Sequence, residues 1–127
     1  MPEAETVRDR YEELCDQPRC PFPEMNQPLD VSRQQGVYII IRRSDGRVMH
    51  VGKTDRRQDG LHGRMRSHLS GNSSFVREYL QGNKKAFRDN YSFQYIAVED
   101  PRLRALLECY AIGHLCPAHL GCGARRA

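Results

Sequence analysis

Side chains capable of chemistry crowd the middle of this 127-residue chain. Tyr38 and His50 stand on two neighbouring segments, and Gly52-Lys53-Thr54 follows directly. Arg64 and His68 come next at i and i+4, so a helix puts both on one face. Glu108 lies inside the apolar stretch from Ala105 to Ala111, where a carboxylate needs a partner, a metal or access to water. Together these groups can move protons and stabilise charge on a phosphate. Each also has a plain structural reading. Tyr38 can be a strand core residue with its hydroxyl at the surface, and His50 a satisfied or exposed strand histidine. Lys53 and Arg64 can be solvated charges, and Glu108 a surface carboxylate beside Arg104 at i−4.

The elements that must hold these residues can be read from pattern. Thr6 to Gln17 reads as a helix, with Val7, Tyr11, Leu14 and Cys15 on one face and Thr6 as the N-cap. Pro18, Pro21, Pro23 and Pro28 then break regular structure into an ordered arm. Residues 36–42 are dense in β-branched and aromatic side chains, Ser44-Asp45-Gly46 supplies a tight turn, and residues 47–51 return, so a β-hairpin is expected. Leu61 to Leu69 reads as a helix with Gly71 at its C-terminal cap. A second helix, capped by Ser73 or Ser74, runs through Phe75, Val76, Tyr79 and Leu80 to Gly82. Residues 91–98 form a third strand. Asp100 caps a last helix, with Pro101 in its first turn and a broad apolar face from Leu103 to Leu115. The expected fold class is α/β of the α+β type, a small three-stranded antiparallel sheet flanked by helices. Its parts are an N-terminal helix and Pro-rich arm (1–35), a central domain (36–120) and a tail (121–127).

Composition narrows the function classes. A mean hydropathy of −0.73 and the absence of an apolar run near twenty residues exclude a transmembrane helix. The acidic, amphipathic N-terminus does not read as a secretory signal. With five cysteines, an odd count, free thiols in a cytoplasmic setting are expected. The formal charge of +4 is unevenly spread. Residues 1–35 carry four basic and eight acidic residues, whereas residues 36–76 carry eight basic and three acidic. A basic segment of this kind attracts phosphate backbones, and a solvated surface is the alternative.

Gly36-Val37-Tyr38, eleven residues, then His50-Val51-Gly52-Lys53 resembles the paired motif of the GIY-YIG nuclease superfamily. Arg64 to His68 resembles that family's Arg-x-x-x-His helix, and Leu107-Glu108 followed by Pro117 resembles its Glu-bearing helix and Pro-containing tail. The resemblance runs from about Gly36 to about Leu120, two thirds of the chain, with its elements in the family's order. Asn72 to Phe75 and Val98 to Pro101 are similar to the restriction-endonuclease branch.

The resemblance implies a GIY-YIG-like fold and metal-dependent cleavage of DNA phosphodiesters. By motif position Tyr38 is the general base or a water-positioning phenol. An ordinary phenol titrates near pH 10, and Lys53 and Arg64 are the cations available to lower it. Arg64 would stabilise transition-state charge, and His68 would hydrogen-bond within the same site. Glu108 would bind one Mg²⁺ or Mn²⁺, which stabilises the leaving oxygen or activates water. Arg56, Arg57, Arg66 and Asn72 are candidates for contacting DNA. Two departures stand out. His50 occupies the position of the motif's second tyrosine, and the Asn that often follows the tail proline is missing, with His119 offering a stand-in. Little chain remains for a separate DNA-reading domain. Specificity would then come from the N-terminal arm, the loop from Asp55 to Gly60, a homodimer or a partner protein. The competing reading is a catalytically weak or inactive nucleic-acid-binding module. A third, a zinc-stapled interaction domain, rests on His114, Cys116, His119 and Cys122, with Cys15 and Cys20 as further ligands, although the spacing matches no common zinc-finger pattern.

Overall fold

A computed structural model describes residues 2–55 and 59–120. Its centre is strand β2, Gly36–Arg42, six of whose seven residues are buried. The run Val37 to Ile41 does not alternate in polarity because both of its faces are covered. Around it stand α1 (Glu3–Asp16), β1 (Cys20–Pro21), β3 (Val48–Lys53), α2 (Gly60–Leu69), a π-helical turn (Phe75–Tyr79), α3 (Lys84–Asn90), β4 (Tyr91–Ala97) and α4 (Pro101–Leu115). The strands form one antiparallel sheet in the order β1-β4-β2-β3. Val37, Ile39, Ile41, Val51 and Ile96 pack against α1 and α4 through Val7, Leu14, Leu107 and Ala111. On the other face, Tyr38, Ile40, Met49 and Phe93 pack against Leu61 and Met65 of α2, Phe75 and Val76 of the π-helical turn, and Phe87 of α3.

The α+β class holds, but the sheet has four strands where three were expected. The Pro-rich arm supplies the extra one, with Cys20 opposite Phe93. A two-residue strand carries no alternation to read, and proline is tolerated there because an edge strand need not donate on its outer side. Helix α3 was also unexpected. It buries only Phe87 and starts at Asn83, whose side chain accepts from the Ala86 N–H at 3.0 Å. The segment expected as a second regular helix is a π-helical turn that stops where Gln81 and Gly82 take left-handed backbone. Helix α1 begins at Glu3, so Thr6 lies inside it rather than capping it. The hairpin, α2 and α4 fall close to their expected places. Asp100 caps α4 by accepting from the Arg102 N–H, and Gly71 ends α2 with a φ of +81°.

A β-bulge sets the face that matters. Ile40 pairs with His50 but Ile41 pairs with Val48, so Met49 is the extra residue in β3. As a result Met49 and His50 both sit on the Tyr38 side of the sheet. Beyond α4, Cys116 turns the chain through left-handed backbone, and residues 118 and 119 return along the outer edge of β3. The His119 N–H donates to the Met49 carbonyl at 2.9 Å.

Buried Arg104 ties the strand ends together. It donates to the carbonyls of Thr54, Val98 and Glu99 at 3.0, 3.0 and 3.2 Å. Thr54 in turn exchanges hydrogen bonds with Gly36. Replacing Arg104 with Met keeps much of the volume but strips three carbonyls of their donors. The unfolding free energy should fall by about 3 kcal/mol, seen as an earlier urea midpoint at unchanged slope. An unmoved midpoint would contradict this role.

Candidate active site

Tyr38 lies directly opposite Gly52 on β3, with its ring over the glycine. A Cβ at residue 52 would fall inside the Tyr38 hydroxyl and ring, so only glycine leaves room. The Tyr38 oxygen accepts from Nε of Arg64 at 3.0 Å. The same hydroxyl shares a hydrogen bond with Nε2 of His68 at 2.9 Å. The expected shared face of Arg64 and His68 on α2 thus closes on a single oxygen. Tyr38 and His68 are both fully buried, with the His68 ring stacked on Phe87.

His50 forms a second group. Its ring stacks on Phe75 with centroids 5.4 Å apart, and its Nδ1 shares a hydrogen with Nδ1 of His119 at 3.1 Å. Nε2 of His119 meets the Glu78 carboxylate at 2.9 Å. Nε2 of His50 has no hydrogen-bond partner among the described residues.

His50, Lys53, Arg64 and Glu108 line one open cleft of about 240 Å³, floored by Val51 and Gly52 and flanked by Ile112 of α4. Two cations face one carboxylate there, which suits a phosphate group. Burial dominates the electrostatics. It pushes the Tyr38 phenol up to about 12, against the charge and hydrogen bond of Arg64, with Glu108 adding to the rise. The cation supplied by α2 therefore does not bring the phenol towards neutrality. Burial, then the neighbouring charges of His119 and Arg64, lowers His50 to about 3. His68 is held well below its ordinary range by burial, His50, Arg64 and His119. Burial also raises Glu108, opposed by Lys53 and Arg64.

Of the residues expected to contact DNA, Arg66 and Asn72 are exposed outside the cleft lining, while Arg56 and Arg57 lie outside the described residues. The proposed zinc ligands point elsewhere. The His114 ring stacks on Tyr110, His119 is engaged by His50 and Glu78, and Cys122 lies outside the described residues. Among the described residues no group of three or more His, Cys, Asp or Glu side chains could hold a metal ion. Likewise no described helix is long and apolar enough to cross a membrane. Glu78 was missed by sequence reasoning, Arg104 was read only as a neighbour of Glu108, and His119 was weighed only as a zinc ligand or an asparagine substitute. Only their partners in space reveal what they do.

Comparison with protein-family profiles, curated proteins and solved structures finds no match to this chain.

The buried histidines set a pH dependence. In the folded protein His50 takes a proton only near pH 3, whereas in the unfolded chain it does so near 6.5. The unfolded state therefore binds more protons in that window, and stability is lost as pH falls from about 6.5 towards 3. Urea unfolding at pH 7 and pH 5 should differ by about 2 kcal/mol from His50 alone, with His68 acting in the same direction. Equal stability at the two values would contradict the burial of these rings in neutral form.

Proposed function

We propose that this protein is a divalent-metal-dependent endonuclease that hydrolyses DNA phosphodiester bonds in the manner of the GIY-YIG nucleases. In this reading β2, β3 and β4 are the three-stranded core of that fold, and β1 is an addition from the arm. The observation that carries the proposal is convergence. Residues 38, 50, 53, 64, 68 and 108 come from β2, β3, α2 and α4, and they meet at one cleft and the buried wall behind it. Separate structural roles would not require such a meeting.

Each side chain has a role the geometry permits. Lys53 and Arg64 bind and neutralise the phosphate, and the planar guanidinium follows charge onto the phosphate oxygens as it develops. Tyr38 and His68 hold Arg64 from behind, since its Nε is spent on the phenol. Half-buried Glu108 supports Mg²⁺ or Mn²⁺ binding. Such ions keep several waters and are bound through one or two carboxylates together with substrate phosphates, so a single carboxylate in an open cleft fits, unlike a closed zinc site. When bound, the metal supplies Lewis-acid stabilisation of phosphate charge. DNA as partner, a homodimer or second protein as the source of specificity, and a cytoplasmic location belong to the same proposal. The buried, protonated phenol favours a second reading, a non-catalytic nucleic-acid-binding module.

A plasmid-nicking assay with Mg²⁺ or Mn²⁺ separates the two. Wild type should nick, and Arg64→Ala and Glu108→Ala should each lose at least about a hundredfold in rate. DNA binding without metal-dependent nicking would support the binding module. Equal activity in all three proteins would sink the site assignment.

A further inference from the structure

Two arginines outside the nuclease cleft share one face of the sheet with a buried serine. Ser92 of β4 pairs with Ile41 of β2 on one side and with Pro21 of β1 on the other. Ile41 belongs to the layer packed on α1 and α4. Directly opposed side chains point the same way, and so do those two apart along a strand. Ser92 and Pro21 are therefore on the α1 side of the sheet. Arg19, two before Pro21, and Arg43, two after Ile41, extend the same rows. Arg19, Pro21, Arg43 and Ser92 line an open cleft of about 290 Å³, and none of the described residues lining it is acidic.

The donors around this cleft are largely unspent. Arg19 makes no hydrogen bond or ion pair with any described residue. Its guanidinium lies against the hairpin turn, where a Cβ at Gly46 would come within 3.3 Å of Nη1. Arg43 is anchored through its backbone N–H to the Asn90 carbonyl at 2.9 Å, and Nη1 donates to the Asp89 carbonyl at 3.3 Å. The rest of its fork is free among the described residues. Carboxylates close by in the chain are already engaged. Asp45 accepts from Arg42 and from the Arg47 N–H, and Asp89 accepts from Lys85. Ser92 is only 5% exposed, and its hydroxyl has no hydrogen-bond partner among the described residues. A buried hydroxyl without a partner is costly, and here it lines the cleft between two cations.

We propose that Arg19, Arg43 and Ser92 form a phosphate-binding site. Each guanidinium presents a fork of N–H donors that matches phosphate oxygens, and the serine hydroxyl donates one more hydrogen bond. Donors from three strands surround the cleft, which suits a tetrahedral group with oxygens on every side better than a planar carboxylate. The site shares no residue with the cleft of His50, Lys53, Arg64 and Glu108, and it stands whether or not that cleft cuts DNA. Arg19 comes from the Pro-rich arm and Arg43 from the end of β2, so a bound phosphate ties the arm to the hairpin. Two sources offer this chemistry, the backbone of a nucleic acid and free phosphate.

NMR titration of the full ¹⁵N-labelled chain tests the site, with EDTA present so that no DNA is cut. Inorganic phosphate, exchanged for chloride at constant ionic strength, should move the Nε–H signals of Arg19 and Arg43 and the backbone N–H of Ser92 along one saturating curve. Arg19→Gln and Arg43→Gln should each weaken binding about tenfold, and Ser92→Ala about fivefold. Both arginines are exposed, so these variants should keep the wild-type spectrum elsewhere. A short DNA duplex is titrated in parallel. Movement of the same signals with DNA makes nucleic acid the source, and movement with inorganic phosphate alone makes it free phosphate. No saturating shift with either ligand overturns the site, as do shifts that persist undiminished in Arg19→Gln and Arg43→Gln. The nicking assay is unaffected by that result, so failure of this site and failure of the nuclease reading are told apart.

Discussion

Much of this molecule follows from one close approach, the Tyr38 ring lying over Gly52. It requires a residue without a side chain on β3, and it delivers the phenolic oxygen to the inner face of α2. Arg64 and His68 can meet that oxygen together only because they are one helical turn apart and α2 packs on the same side of the sheet. The aromatic and aliphatic packing of Phe75, Phe87 and Met65 then seals the group from water. Sealing the phenol strengthens its hydrogen bonds and fixes the direction of the guanidinium. The same burial removes the phenol from acid–base chemistry near neutrality.

That opposition between burial and charge runs through the whole site. Arg64 alone would lower the phenol and Lys53 alone would lower Glu108, yet desolvation is the larger effect on both. The histidines are likewise driven towards their neutral forms. A wall of neutral but polar groups behind two exposed or half-exposed cations presents positive charge to a ligand without a competing buried charge. The cost appears in stability, through histidines that cannot accept a proton while the fold is intact.

The sequence made legible whatever depends on neighbours in the chain. The hairpin follows from β-branched density and a turn. The shared face of Arg64 and His68 follows from their spacing, and the cap of α4 from Asp100 and Pro101. What pattern did not carry depends on residues far apart. Cys20 and Pro21 become a strand only because β4 offers an edge, and α3 has a single buried side chain to announce it. The bulge at Met49 slips the register by one residue, which puts Met49 on the same side of the sheet as Tyr38 and His50. Glu78 reaches His119 across forty-one positions, and His119 reaches His50 across sixty-nine. No local periodicity records such pairings.

The tail that carries His119 has another effect, on how this chain can meet a second sheet. An uncovered outer strand invites another backbone to dock along it. Here residues 118 and 119 already occupy the start of β3 on its outward side. At the opposite margin β1 is only two residues long, and one of them is Pro21, which has no N–H to give. Growth by adding strands is thus discouraged at both ends of the sheet.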